Sequence, residues 1–71
     1  MRYAIVETEK AMAKGLKAKW HRVNNTGRKM VANENELMKI ESDPSMAASM
    51  LGGTLMELDE LKVELNKWNE I

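Results

Sequence analysis

TLMELDELKVELNKWNEI, residues 54–71, is the stretch around which the rest of the chain is best interpreted. Its leucines recur every three or four residues, which is the spacing of one apolar stripe along a helix. An apolar helix face is unstable in water unless another surface covers it. The stripe therefore predicts a helix that packs on the rest of the chain or on a second copy. The residues proposed to form this interface or core are Leu58, Leu61, Leu65 and Trp68.

The beginning of this stretch allows two interpretations. Either residues 54–58 form a strand and Asp59 caps a helix over residues 60–69, or the helix already begins at Thr54. A weak internal repeat favours the strand, because an apolar run, a capping residue and an acid-rich helix start follow one another three times. Three such units predict a small sheet covered by helices. The capping positions of the three units are Thr8, Asn33 and Asp59.

The first half of the chain supplies the other strands of this sheet. Residues 2–7, RYAIVE, are predicted to form a strand that is buried on both faces or central in its sheet. A helix of barely two turns is expected over residues 9–14, with Thr8 as its N-cap and Gly15 beyond its end. The segment NNTG, residues 24–27, predicts the turn of a hairpin that spans about residues 19–32, because Asn and Gly tolerate positive φ.

Two further helices follow the hairpin. Asn33, with Glu36 three residues later, predicts a capping box at the start of a helix over residues 34–40. Asp43-Pro44 predicts the next helix start, and Gly52-Gly53 its end. The fold class is therefore predicted as α+β, in one domain over residues 1–71. Its sheet has three or four short strands including a hairpin, and the longest helix is C-terminal. The residues expected to face inward are Leu37, Ile40, Met46, Ala47, Met50 and Leu51.

The size and composition of the chain predict self-association. A domain of 71 residues rarely gains more than about 3–5 kcal/mol from a single core. The sequence has no Cys and one His, which excludes disulfides and Cys- or His-rich metal sites. We therefore expect a homodimer, with no metal, no cofactor and no small-molecule ligand. Seven methionines and no Phe predict a core filled by adaptable Met side chains.

The charges of the chain are divided between its two halves. Residues 1–32 carry eight Lys and Arg against two Glu, a net charge of +6, and residues 33–71 carry a net charge of −6. This division favours packing of the halves on each other or on a second copy. The alternative is a nucleic-acid surface on the basic segment 14–29, where cations surround an aromatic side chain. Its candidate contacts are Lys17, Lys19, Trp20, Arg22, Arg28 and Lys29.

No residue pattern in the sequence predicts catalysis. His21 is the only imidazole, and its neighbour Arg22 would point to the opposite face of a strand. The three serines lack the Gly-x-Ser-x-Gly pattern of a nucleophile elbow. Paired carboxylates occur at predicted helix starts, where they interact favourably with the helix dipole in solvent. We therefore expect no enzymatic activity and no catalytic residues.

The location and function of the protein are predicted only broadly. Residues 1–6 are too short an apolar run for a signal peptide, and no run approaches the ~20 residues of a membrane-spanning helix. A cytoplasmic protein is expected. The order of elements, with HR before a turn, NENEL and ELxxELxKW, resembles small uncharacterised bacterial proteins, and this resemblance implies no activity. The sequence predicts a non-catalytic interaction or scaffold protein, with nucleic-acid binding as the alternative.

Overall fold

The fold consists of one antiparallel sheet and short helices that follow its strands. A computed structural model describes the backbone of residues 1–17, 21–24 and 27–68, and the side-chain surroundings of residues 1–17 and 27–67. The strands pair in the order β2-β3-β1-β4, so β1 is central, as predicted. The predicted α+β class is confirmed, and the longest described helix is the last one. The elements are β1 (Tyr3–Glu7), α1 (Thr8–Ala13), β2 (His21–Asn24), β3 (Gly27–Asn33), α2 (Glu34–Met38), α3 (Pro44–Met50), β4 (Leu55–Met56) and α4 (Leu58–Trp68).

Three strand-to-helix units repeat along the chain, as the internal repeat predicts. β1 runs directly into α1, β3 runs directly into α2, and Glu57 alone separates β4 from α4. Because β1 and β3 are antiparallel, α1 and α2 begin at opposite ends of the sheet. The predicted hairpin over residues 19–32 is confirmed for its two strands, β2 and β3, while residues 25–26 of its turn lie outside the described residues.

Two helix N-termini have the predicted caps. The Asn33 side-chain oxygen accepts a hydrogen bond from the Glu36 backbone N–H at 2.9 Å, and the Glu36 carboxylate accepts one from the Asn33 N–H at 3.1 Å. This reciprocal pair is the expected capping box of α2. Asp43 accepts from the Ser45 N–H at 3.0 Å, and Pro44 is the first residue of α3. α2 is shorter than predicted and ends at Met38.

The prediction that Thr8 caps α1 is wrong. The strand β1 continues to Glu7, so Thr8 is already the first helical residue and Glu7 occupies the N-cap without a side-chain cap. The Thr8 side chain is buried, and its hydroxyl oxygen has no hydrogen-bond partner in the described structure.

One face of the sheet carries the main hydrophobic core. Ala4 and Val6 of β1 lie opposite Ala32 and Met30 of β3, and all four side chains are fully buried. Ile40 and Leu55 pack against this cluster from its margin. The cluster is completed by residues of three helices, α1, α2 and α3, and of the segment after α1. These residues are Ala11, Leu16, Leu37, Ala47, Ala48 and Leu51.

The prediction of which residues of α3 face inward is partly wrong. Ala47 and Leu51 are buried as expected, but Met46 and Met50 are exposed and Ala48 is buried in their place. Small alanine side chains let α3 pack against β1, so the longer Met side chains lie outside. The prediction of a Met-filled core is also wrong, because five of the seven methionines are exposed. The exposed ones are Met1, Met12, Met38, Met46 and Met50.

The second face of the sheet carries half-buried apolar side chains. Tyr3, Ile5 and Val31 point to this face by strand alternation, and all three are half-buried. α4 contacts β1, and its Leu61 is buried outside the cluster that fills the first face. We infer that Leu61 packs α4 onto the second face, so the sheet lies between two layers of helix.

The predicted strand before α4 is confirmed. The strand is shorter than predicted, and the helix begins earlier than predicted. β4 contains only Leu55 and Met56, and α4 begins at Leu58 instead of residue 60. The Glu57 carbonyl accepts a hydrogen bond from the Leu61 N–H at 3.0 Å, which is the first bond of the helix. Asp59 therefore lies within the first turn of α4, where its charge suits the helix dipole, and does not cap the helix.

Candidate interaction surfaces

The apolar stripe of α4 is covered at its middle and uncovered at its start. Leu61 is 5% exposed, whereas Leu58 is 43% exposed and Leu65 is half-buried. Leu58 is therefore not a core residue, which corrects one of its two predicted roles. Val63, on another side of the helix, is 54% exposed. Trp68 is the last residue of α4, and its side chain lies outside the described residues.

The basic hairpin forms one edge of the sheet, with β2 outermost. Arg22 and Lys29 are directly opposite each other in the register of β2 and β3, so they belong to the same face of the hairpin. Arg28 and Lys17 are exposed and Lys29 is half-buried. Lys19 and Trp20 lie outside the described residues, as do the side chains of Arg22 and His21. The register therefore pairs Arg22 with Lys29, whereas Arg28, the residue before Lys29 in β3, belongs to the opposite face by strand alternation.

The sheet order separates the basic hairpin from the acidic start of α4. β2 and β4 are the two edge strands, so three strand spacings of about 4.8 Å lie between them. Glu57, Asp59 and Glu60 follow β4 directly and are all exposed. The division of charge along the sequence is thus also a division between two edges of the molecule.

A salt bridge that sequence analysis missed joins the starts of β1 and α2. The Arg2 guanidinium donates to a Glu34 carboxylate oxygen at 2.9 Å, and the Arg2 backbone N–H donates to the same oxygen at 3.3 Å. The hydrogen bond from Arg2 lowers the pKa of Glu34, and the same bond raises the pKa of Arg2. The two residues are 32 positions apart in sequence. Only the antiparallel pairing of β1 with β3 brings them together, so no local pattern indicates the pair.

A groove of about 350 Å³ runs along β4 and was also not predicted. The groove is lined by residues 53–57, which we call its floor, by Ser45 and Ser49 of α3, its α3 wall, and by Glu60 of α4, its α4 wall. Arg2 also lines it. Gly53 allows this segment to run close to β1, since a Cβ at this position would overlap the Ile5 carbonyl oxygen and lie 3.1 Å from Val6 Cγ1. The glycine pair was interpreted as a helix stop, and it also permits this close approach.

Comparisons with known proteins give no information about the function of this chain. No protein-family model, curated protein sequence or solved structure matches the chain. Across the described residues, no helix is long and apolar enough to cross a membrane. A search of the same residues finds no group of three or more His, Asp or Glu side chains that could hold a metal ion. A function is therefore proposed from three features: the apolar stripe of α4, the basic hairpin at one edge of the sheet, and the groove along β4.

Proposed function

We propose that this protein is a small non-catalytic interaction module, located in the cytoplasm, that forms a homodimer through the apolar stripe of α4. The single observation that carries the proposal is the unequal burial of that stripe. The fold covers Leu61 and leaves Leu58 and Leu65 partly accessible on the same side of the helix. A second copy of the chain would cover the remainder.

The positions of these side chains around the helix support the proposal. At about 100° per residue, Leu58 and Leu65 lie within about 20° of each other and Leu61 lies about 40–60° from them. Leu58 and Leu65 thus form one flank of the stripe, which we call the α4 flank. Val63 lies about 140° from Leu58 on the same scale and does not belong to this flank. Exposed apolar residues that are contiguous with a buried one are typical of association surfaces.

The distribution of charge favours a second copy as the occupant. One edge of the molecule carries the basic hairpin, and the opposite edge carries three exposed acidic residues next to β4. In a two-fold dimer the same patches meet reciprocally, so the hairpin of each copy can face the acidic edge of the other. The whole chain has no net charge, so long-range repulsion between copies is weak.

The Leu58→Glu substitution is expected to dissociate the dimer. The wild-type chain should have a mass of about 16 kDa by sedimentation equilibrium, twice the 8.1 kDa of one chain. Leu58→Glu places a charge in the apolar interface and should raise the dimer dissociation constant at least tenfold, about 1.4 kcal/mol. Leu58 is exposed and is the first residue of α4, where an acidic side chain suits the helix dipole, so the monomer fold should persist.

Val63→Glu is the matched control for this experiment. It introduces the same charge on the same helix at a residue of similar exposure, and it should leave the dissociation constant within twofold of the wild type. A wild-type chain that remains monomeric at millimolar concentration contradicts the proposal. Equal weakening by Leu58→Glu and Val63→Glu contradicts it as well, because a general charge effect would then explain the loss.

Nucleic-acid binding by the hairpin is the second candidate function. The observation that favours it is the register of β2 and β3, which sets Arg22 opposite Lys29, with the exposed Arg28 on the other face of the same ribbon. Several cations on a two-stranded ribbon can contact successive phosphates of a nucleic-acid backbone. The acidic edge lies at the other side of the sheet, so its repulsion of the phosphates is weakened by distance and by salt.

Arg28→Glu is expected to weaken this binding at least tenfold. The measurement is fluorescence anisotropy of a labelled 20-nucleotide single strand and of its duplex, at several salt concentrations. Loss of one phosphate contact should also reduce the slope of log affinity against log salt by about 1. Lys62→Glu on α4 makes the same charge change at the opposite side of the sheet and should have a much smaller effect. Absence of binding to either probe at 50 mM salt would eliminate this candidate.

A further inference from the structure

The edge of the sheet at β4 is open to another strand. β4 pairs with β1 on one side, and the sheet order places no described strand on its other side. The described backbone hydrogen bonds outside the strands and helices include none from Thr54, Leu55 or Met56 to another element. An edge strand of this kind offers free N–H and C=O groups that an extended segment can pair with.

The groove described above gives this edge the shape of a peptide-binding site. Its floor consists of residues 53–57, and its two walls come from α3 and α4. At about 3.3 Å per residue, five residues of floor match an extended segment of about five residues. Ser45 and Ser49 are one helical turn apart on the α3 wall, so hydroxyl groups line the side that a peptide backbone or polar side chain would contact.

The charge of the groove selects a basic segment. Glu60 on the α4 wall is exposed and has no ion-pair partner among the residues that the structure describes. Glu57 also lines the groove and is exposed. Arg2 lines the groove as well, and its guanidinium is paired with Glu34 at 2.9 Å. The groove therefore carries two carboxylates and one cation that already has a partner, which leaves a net negative charge for an incoming chain.

We propose that this groove binds an extended basic segment of a partner protein, which adds to the sheet as a strand beside β4. Main-chain hydrogen bonds to residues 54–56 hold the segment, and a Lys or Arg side chain pairs with Glu60. This surface uses the strand edge and the α3 side, whereas the dimer contact uses Leu58 and Leu65 of the α4 flank. Glu57 and Glu60 also belong to the acidic edge, so the peptide would compete there with the hairpin of a second copy.

The probe for this proposal is the peptide Ac-KVKVKVK-NH2, titrated into the uniformly ¹⁵N-labelled full-length protein. The backbone amide signals of residues 54–57 should shift, and their shifts should give one dissociation constant. Two control peptides separate the contributions to binding. The Lys-Val peptide methylated at every backbone nitrogen keeps the charge but lacks all backbone N–H donors, and Ac-EVEVEVE-NH2 keeps the strand pattern with the opposite charge. Both should bind at least tenfold more weakly.

A pair of variants tests the role of Glu60. Glu60→Lys should weaken binding of the Lys-Val peptide at least fivefold, because it replaces the proposed partner of a peptide cation with a like charge. Asp59→Lys makes the same charge change at the adjacent exposed residue, which does not line the groove, and should change the dissociation constant less than twofold. Both variants should retain the circular dichroism spectrum of the wild type.

Three results would overturn this proposal. Equal binding of the Lys-Val peptide and its backbone-methylated form would show that charge alone drives association. Equal weakening by Glu60→Lys and Asp59→Lys would show that no particular carboxylate is used. Shifts of the residue 54–57 amides on dilution of the free protein, with no response to the peptide, would assign the groove to a second copy. The sedimentation result for Leu58→Glu is independent of the first two results, so failure of the peptide proposal on either of them does not imply failure of the proposed dimer.

Discussion

Replacing Leu37 with alanine is expected to remove most of the free energy of unfolding at 25 °C. Leu37 is among the largest fully buried side chains of the core, which it enters from α2. Truncation of a buried Leu to Ala costs about 2–5 kcal/mol through lost burial and the cavity left behind. A domain of this size gains only about 3–5 kcal/mol from its core, so the loss is comparable with the whole stability.

Urea titration followed by far-ultraviolet circular dichroism measures this loss, at one fixed protein concentration for all variants. Met38→Ala is the matched control, since Met38 is the next residue on the same helix and is 49% exposed. It should change the free energy of unfolding by no more than about 0.5 kcal/mol. Similar midpoints for the two variants would mean that α2 does not contribute Leu37 to the core as described.

Replacing Gly53 with alanine is expected to detach β4 from β1. The new Cβ would overlap the Ile5 carbonyl oxygen, and backbone atoms cannot move aside as a flexible side chain can. Overpacking of this kind costs typically about 1–3 kcal/mol. Here the cost is at the upper end of that range, since β4 contains only two residues and has few other contacts that could hold it in place. The measurements are the urea midpoint and hydrogen exchange of the residue 53–57 amides.

A position can require glycine because of its backbone conformation or because a Cβ would overlap a neighbour. Gly15→Ala is the control that tests the first reason alone. Gly15 has a φ of +92° and nothing within 4 Å of the position of a Cβ, so only its backbone conformation resists substitution. That conformation should cost about 1 kcal/mol, and exchange at β4 should stay at the wild-type rate. If Gly53→Ala is as stable as Gly15→Ala, β4 does not approach β1 as closely as described. The groove proposed to bind a basic segment would then lose its floor.

The strand-to-helix units were predictable because their signals are local. Asn33 with Glu36, and Asp43 with Pro44, satisfy the first backbone N–H groups of a helix from within a few residues. The helix starts that they predict are confirmed. Thr8 carries the same kind of signal but does not cap α1, because pairing of β1 with β3 extends to Glu7 and carries the strand past the expected boundary.

The burial of side chains was less predictable, because it depends on which neighbour each helix meets. On α3, a stripe of Met and Leu was expected inward, and the helix instead packs through Ala47, Ala48 and Leu51. On α4, the regular spacing of leucines gave no sign that Leu61 would be buried and Leu58 exposed. A helix can rotate about its axis between such alternatives without any change in its local hydrogen bonds, so sequence periodicity does not select one.

By itself, the sequence determined the fold class, the hairpin, the capped helices and the separation of charge, since each depends on residues close together in the chain. Only the tertiary structure decided the strand order, the Arg2–Glu34 salt bridge and the groove along β4. These features join residues from distant segments, such as Ser49 of α3 with Glu60 of α4. Their physical basis is the antiparallel pairing of β1 with both β3 and β4, which sets the neighbours of every helix.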